Sequence, residues 1–554
     1  MSGAGDSRGG GGDGAFPVLG AAQLAEAAPF GSERQVAVGD LLFEAGAANY
    51  ELFVVLEGEA EVVRVEGDGA DVIATFGPGG FVGELTLLTG QRRFLTGRIT
   101  KAGRVLVIEQ ADFRRLMSLR PALAETIFGA LLARREILRS GGGSLAIRII
   151  GSHHSPAAMS LRAYAEHSRL AHTWIDLEEA EDVTMLLSSM GLTADDTPVV
   201  VTPTGLLTHA TPAGFAESLG LTFQAVPGFV FDLVVVGSGP AGLSAAVYGA
   251  SEGLRTVSLD AVAIGGQAGS SSRIENYAGF PDGISGGDLT ARVAIQAMRL
   301  GARLNAPCEV AGLRSEASFH VVVLKDGSEI PARSVIIASG AQYRRLNVEN
   351  LARFEGAGVY YAATDLEARA CSGSPVLVVG GGNSAGQAAI YLSQSKCGVK
   401  LAIRGGDLDH SMSRYLIERI DADPSIELVT GVEVDAVAGT DSLQQVTLRH
   451  TAAGENETFP CSGLFCFIGA RPQTGWLDGA IQLNPDGFIL TDRQLEAGTS
   501  RELFRPLPFE TSLAGVFAAG DVRHGSMKRV AAAVGEGSSA VRSVHQRLAN
   551  AAAA

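Results

Sequence analysis

The sequence predicts a multidomain α/β chain: an N-terminal β jelly roll, then a small α/β domain, then two interleaved Rossmann-type domains. Three observations carry this expectation. Residues 232–260 read as strand, Gly237-x-Gly239-x-x-Gly242, helix, strand and acid. A second unit of the same kind starts at Pro375 and carries Gly380-x-Gly382-x-x-Ala385. Residues 36–64 break short apolar runs with glycine turns, as closely spaced strands of a sandwich or jelly roll do. The length of 554 residues suits about three or four domains.

Composition narrows the function classes. Hydrophobic residues make up 46% and charged residues 19%, which suits well-cored globular domains. Forty-four basic against sixty acidic residues give a net charge of −16, which argues against nucleic acid or an acidic membrane surface as main partner. No apolar run reaches the ~18 residues of a membrane span. Residues 1–14 are Gly-rich without an apolar stretch, so they read as a disordered tail and not as a signal peptide. The five cysteines form no C-x-x-C, which points to free thiols in a reducing cytoplasm.

Residues 15–143 open with a short helix and continue as β-rich sequence. Gly39-Asp40, Gly46 and Gly58 punctuate the runs 41–43 and 52–56. Residues 79–96 then place backbone N–H groups, an acid and an arginine in one segment containing Gly83-Glu84-Leu85 and, nine residues after the Glu, Arg93. This segment resembles the phosphate-binding cassette of cyclic-nucleotide-binding domains. The resemblance implies a cyclic nucleotide as ligand, with Arg93 on its phosphate and Glu84 on the ribose hydroxyl. A guanidinium fork suits phosphate oxygens, and a carboxylate accepts from a hydroxyl. Two positions depart from the family. Arg92 stands where it has Pro, and the bulky Phe94-Leu95 replace a small pair. A domain kept for packing or dimerisation is the other reading. Residues 121–138 read as one or two helices.

Residues 144–225 read as strand (145–150), helix (155–168) opened by Ser155-Pro156, strand (172–176) and strand (197–201), with a closing helix. The order resembles thioredoxin and glutaredoxin folds, with Pro198 as their cis-proline. Ser155-Pro156-Ala157-Ala158 stand where that family has its cysteine pair, and a serine cannot replace a thiolate nucleophile. The domain therefore reads as structural or docking. His153-His154 read as solvated loop residues, and no metal is expected.

Residues 226–344 and 471–554 form the first dinucleotide-binding domain, and 345–470 the second. In the first, residues 233–236 are an apolar strand. Gly237 permits the tight turn, Gly239 lets backbone approach a pyrophosphate, and Gly242 lets helix pack on strand. Pro240 and Ala241 open the helix whose N-terminus faces the phosphates. Asp260 stands about 20 residues after the glycines, where an acid holds ribose hydroxyls. Gly265-Gly266-Gln267 and Glu275-Asn276-Tyr277-Ala278-Gly279 follow. These residues resemble thioredoxin reductase, and the resemblance spans residues 226–554. It implies FAD, with Gln267 and Asn276 at the flavin and ribitol and Gly265 and Gly266 in close approach. It places Gly520-Asp521 on the ribitol, Arg529, Val530 and Ala531 beside the flavin, and Gly535-Glu536-Gly537 at the start of the last helix.

In the second unit, Asn383, Ser384 and Ala385 open the helix after Gly380 and Gly382, and its second strand ends in Arg404 where an acid would select NAD(H). A base there accommodates a 2′-phosphate, so NADPH is favoured over NADH. Arg414 is placed to help. A homodimer is the family's habit, and its NADPH domain swivels about two connections, here near 341–347 and 468–474.

The expected departure lies at the redox centre. Thioredoxin reductase has Cys-Ala-Thr-Cys before the second Rossmann strand; this chain has Ala362-Ala363-Thr364-Asp365. Cys371 stands alone. Cys461 and Cys466 on one strand would lie about 16 Å apart, beyond disulfide reach. The flavin is then covered by Tyr360 or Tyr361, or open to an external acceptor, and no catalytic residue is assigned. The expectation is an NAD(P)H-dependent FAD oxidoreductase, ligand-regulated, that passes electrons to an unidentified small-molecule or protein acceptor. A flavin-bearing sensor and a thioredoxin reductase with an unrecognised thiol route are the alternatives.

Overall fold

The computed structural model describes residues 14–47, 50–66, 69–83, 93, 95–140, 147–153, 155–168, 170, 172–178, 183–202, 205–224, 228–271, 273–409, 411–440, 442–495 and 505–553. Of the expected features, the tail up to residue 13, Glu84, Leu85, Arg92, Phe94 and His154 lie outside the described residues. The chain forms two compact units, one of residues 1–151, 169–222 and 298–301, the other of 152–168, 223–297 and 302–554.

In the first unit a six-stranded antiparallel sheet runs Ser32–Val36, Thr96–Glu109, Glu51–Glu66, Gly69–Phe76, with Leu41–Phe43 and Phe81–Val82 paired beside it. Phe43, Phe53, Val55, Phe76 and Ile99 fill its interior. The helices Gln110–Leu119 and Pro121–Ser140 follow. Gly58 does not break a strand as the sequence suggests; it sits inside Glu51–Glu66 at φ +90°. A Cβ on it would lie 2.4 Å from the Lys101 carbonyl oxygen across the sheet, so the glycine serves a bulge, where the register on Thr96–Glu109 shifts. A separate four-stranded sheet orders Gly205–Leu207, Val199–Thr202, Ile147–Gly151 and His172–Asp176, and the Thr197–Pro198 bond is cis.

The second unit holds the helix Pro156–His167, whose buried Tyr164 Oη donates to the Ala306 carbonyl at 3.2 Å. Its two main sheets position the candidate site. The first runs Arg303–Asn305, Thr256–Leu259, Phe231–Val236, Glu329–Ile337, all parallel, with Val516–Ala518 also parallel on Glu329–Ile337. An antiparallel pair, His320–Leu324 and Val310–Ser315, extends the other edge. Phe231–Val236 is buried at every position, which is why residues 233–236 read as an apolar run; the buried Asp232 beside them is paired with Arg255 at 2.8 Å. The second sheet, Val359–Tyr360, Gly463–Cys466, Pro375–Val379, Gly398–Ile403, Ile426–Thr430, is wholly parallel. A short ribbon joins the two parts: Ala341–Tyr343 pairs antiparallel with Ala470–Pro472, within the two connections expected from the sequence.

The last helix, Val530–Ala553, starts five residues earlier than expected. Gly535 and Gly537 lie inside it. A Cβ on Gly537 would stand 2.0 Å from the Ala241 carbonyl oxygen, so this glycine lets the helix pack on Pro240–Ser251 and does not cap it.

Candidate active site

The first dinucleotide motif is a cradle with room in front. Gly237 has φ +106°, and a Cβ there would lie 2.2 Å from the Ala338 carbonyl oxygen. Gly242 is tighter: its Cβ would stand 1.8 Å from the Gly237 carbonyl oxygen. The contact that demands Gly242 is therefore the turn, with Val235 behind it. Gly239 differs, since its Cβ would meet only the Gly266 Cα at 3.9 Å. Gly239 caps the helix Pro240–Ser251 without a side-chain cap, leaving the first-turn N–H groups around Ala241 to an anion. Gly265 at φ +113° and Gly266 at φ +54° bring a second backbone segment against Gly239.

Asp260 ends the strand Thr256–Leu259 and ties the loops together. Oδ2 accepts from the Ser238 N–H at 2.7 Å, and Oδ1 from the N–H groups of Val262 and Ala263 at 3.0 and 3.2 Å. Burial pushes its carboxyl above the usual range, and these three donors pull the other way. Its first role here is to shape the turn. Gln267 Nε2 donates to the Ala341 carbonyl, linking the Gly-Gly-Gln segment to the ribbon.

Opposite the motif, Gly520 at φ +77° precedes Asp521. Burial raises the Asp521 carboxyl, and among the described residues no donor bonds it. A half-buried carboxylate without a donor is a fitting acceptor for a polyol hydroxyl. The turn is held by a pair that the sequence did not disclose. Glu536 Oε2 accepts from the Gly520 N–H at 2.8 Å, and Arg523 grips Glu536 through Nε at 3.1 Å and Nη2 at 2.8 Å. Arg529 is exposed just before the last helix, which Val530 and Ala531 begin; Asn276 is exposed on its loop. Cradle, open helix N-terminus and donorless carboxylate fit FAD.

The second motif repeats the design. Gly380 has φ +139°, with the Phe467 carbonyl oxygen 2.3 Å from a Cβ placed there. Gly382 caps the helix Asn383–Gln394, again without a side-chain cap, so the N–H groups near Ser384 and the buried Ala385 face outward from a bare terminus. Asn383 Oδ1 accepts from the Ser413 N–H at 2.7 Å, and Ser411 Oγ donates to the Gly381 carbonyl at 2.6 Å. Arg404 follows the strand Gly398–Ile403 with its side chain 80% exposed, 3.9 Å from Glu433. Arg414 is also exposed and pairs with Glu418 at 3.2 Å. These residues fit a dinucleotide with a further phosphate.

Tyr360 packs on Phe465 at 5.2 Å, and Tyr361 Oη donates to Glu355 at 2.8 Å. Both tyrosines are used by the second domain's own core. All five cysteines are free and buried. Burial raises Cys308 and Cys461 to about 11 and Cys371 and Cys466 to about 12, and lifts Cys397 as well. None is a thiolate at neutral pH.

In the N-terminal domain, Gly83 is buried and Arg93 is fully buried. Arg93 stacks its guanidinium 3.9 Å over Phe43 and donates from Nη2 to the Glu51 carbonyl at 2.8 Å.

Residues 231–537 match the family described as pyridine nucleotide-disulphide oxidoreductase. The chain belongs to that family. Residues 33–120 match the cyclic nucleotide-binding domain. The thioredoxin reductase of Streptomyces coelicolor is 34% identical over 317 residues, 56% of this chain and 92% of that one. NADPH-dependent thioredoxin reductase 3 of Arabidopsis thaliana is 33% identical over 324 residues, 57% of this chain and 58% of the other. The crystal structure of Lactococcus lactis thioredoxin reductase in its FR conformation aligns with TM-score 0.52 and 28% identity, over 58% of this chain and 99% of that one. This pyridine nucleotide-disulphide oxidoreductase is thus an FAD-dependent NAD(P)H enzyme with a cyclic-nucleotide-binding domain ahead of it in the chain. Among the described residues, no helix is long and apolar enough to cross a membrane.

Proposed function

We propose that this oxidoreductase takes electrons from NADPH onto FAD and hands them to an acceptor outside the chain without an internal dithiol. The observation that carries the reading is the state of the cysteines: all five are buried, burial raises their thiols, and Ala362 and Asp365 stand where the resemblance to thioredoxin reductase implies a redox pair. Disulfide exchange needs an accessible thiolate. The cofactors supply hydride donation and acceptance; the protein binds and orients them. The test is stopped-flow flavin reduction by NADPH and NADH, followed by reoxidation with a panel of disulfides, quinones, ferredoxin and oxygen. The proposal expects a non-disulfide acceptor to reoxidise fastest, and thiol alkylation to leave that turnover intact. Turnover abolished by alkylation would support a thiol route instead.

Arg404 is the proposed 2′-phosphate contact, because its side chain is exposed at the end of the strand Gly398–Ile403 and only loosely paired with Glu433. NADPH should reduce the flavin more efficiently than NADH, and Arg404→Ala should narrow the gap by about 1.5–3 kcal/mol, the scale of a charge-assisted hydrogen bond. An unchanged ratio of kcat/KM in the variant removes Arg404 from the site.

The N-terminal domain is proposed to sense a cyclic nucleotide, which supports regulation only through a difference in affinity between two states of the enzyme. A coupling of about 1–3 kcal/mol changes flavin reduction by roughly 5- to 150-fold. Stacking on Phe43 uses the face of the Arg93 guanidinium, whereas a ligand phosphate is bound by its in-plane N–H groups. Calorimetry with cyclic AMP and cyclic GMP should show binding that Arg93→Ala abolishes together with any rate change. No binding of either at millimolar concentration assigns the domain to assembly.

A further inference from the structure

We propose that the ion pair between Glu275 and Arg419 positions the nicotinamide-binding domain against the flavin domain and thereby sets how fast NADPH reduces the flavin. The proposal rests on the family's NAD(P)H-to-FAD reaction and not on the identity of the acceptor.

The helix Arg414–Ala422 is engaged at both ends. At its start the chain is fastened to the second dinucleotide motif: the Ser413 N–H donates to Asn383 Oδ1 and Ser411 Oγ to the Gly381 carbonyl. Leu416, Ile417 and Ile420 are buried in the same core as Ala385 and Ala389. A Cβ on Gly386 would stand 2.7 Å from the sulfur of Met412, just before the helix, and 3.5 Å from Ile420 Cδ1 on it, so the two elements pack closely. Helix and motif therefore move as one body. Towards its other end, Arg419 Nη1 reaches both carboxylate oxygens of Glu275, at 2.8 and 2.6 Å, across 144 residues of sequence. Glu275 immediately precedes Asn276, and Tyr415, one turn before Arg419, lies within electrostatic reach of Glu275 and Arg529. The helix thus joins the nicotinamide motif directly to residues that flank the flavin site.

The covalent connection is slight. The two domains are joined by the ribbon of Ala341–Tyr343 and Ala470–Pro472, three residues to a strand; Gln267 anchors it on the flavin side through the Ala341 carbonyl, and so short a ribbon constrains the other domain only weakly. Hydride transfer tolerates little misplacement of its two centres. A charged contact spanning the domains is placed to set the angle that the ribbon leaves soft. The Glu275 side chain is 18% exposed and has Arg273 Nε 3.5 Å away, so it is held on the flavin side before Arg419 meets it.

The experiment compares wild type, Arg419→Met and the exchange Glu275→Arg/Arg419→Glu in the full FAD-loaded chain. Arg419→Met keeps the aliphatic stem and good helix propensity. The flavin-reduction rate at saturating NADPH should fall roughly 2- to 5-fold, the range over which a partly exposed ion pair can bias a domain equilibrium. Reduction by dithionite, which needs no nicotinamide domain, should be unchanged, as should FAD content. The exchange should recover at least half of the lost rate. Hydrogen exchange should show segments 273–280 and 414–422 losing protection together in Arg419→Met. A wild-type rate in Arg419→Met, or an exchange as slow as the single variant, overturns the proposal. If Arg419→Met fails to retain FAD, the wild type decides: a reduction rate that falls with ionic strength supports the pair, and a rate independent of salt overturns it.

Discussion

Gly239→Val is expected to give a folded chain that no longer retains FAD. The space beyond Gly239 is open to the protein: a Cβ there meets only the Gly266 Cα at 3.9 Å, and the residue's φ of −73° is one any amino acid adopts. The valine side chain therefore enters the volume a pyrophosphate must occupy. Overpacking of this kind typically costs about 1–3 kcal/mol, and more against a rigid ligand. Gly242→Ala makes the contrast. Its methyl would lie 1.8 Å from the Gly237 carbonyl oxygen, so the fold itself should suffer. Asp521→Ala should weaken flavin retention without unfolding, because the carboxylate has no donor among the described residues whose bond would be lost. The checks are flavin absorbance per chain and the thermal midpoint of each apoprotein. Wild-type FAD content in Gly239→Val would remove this motif from the flavin site.

The second large effect concerns disulfides. Reduction of a small aromatic disulfide or of thioredoxin is expected to be slower by orders of magnitude than reoxidation by the best non-thiol acceptor. A thiol with its pKa raised to about 12 is about five pH units from ionisation at neutrality, and the exchange reaction needs the thiolate. Neither Cys371 nor Cys466 has a disulfide partner, and both are buried. The measurement is turnover with each acceptor under anaerobic conditions, before and after treatment with a thiol-alkylating reagent. Rapid thioredoxin reduction would show a route through groups the structure keeps covered.

Where the sequence was legible, the signal was local. Residues 233–236 are apolar because the strand Phe231–Val236 is buried on both faces, and the strand Thr256–Leu259 falls where expected for the same reason. Gly237, Gly380 and Gly520 are required by positive φ, which a motif can reveal. What stayed hidden depends on partners distant in sequence. Gly58 and Gly537 look like turn or cap residues, yet each is there because another backbone passes within reach, at Lys101 and Ala241. The acid after the first glycine motif was visible, but not that Asp260 would be bound by three backbone N–H groups of its own loops. In sequence Glu536 is only the middle of Gly-Glu-Gly; its hold on Gly520, with Arg523, needs the helix to be folded. Likewise Arg93 has the spacing of a phosphate ligand, and only the sheet places Phe43 beneath it.

The central claim is that electrons stop at the flavin until an external acceptor takes them. Anaerobic titration of the FAD-loaded chain with NADPH, followed by absorbance, tests it most directly. The account predicts complete bleaching with about two electrons per FAD, since no flavin-coupled disulfide exists to be filled. Uptake of about four electrons per FAD would reveal a second redox pair in the chain and contradict it.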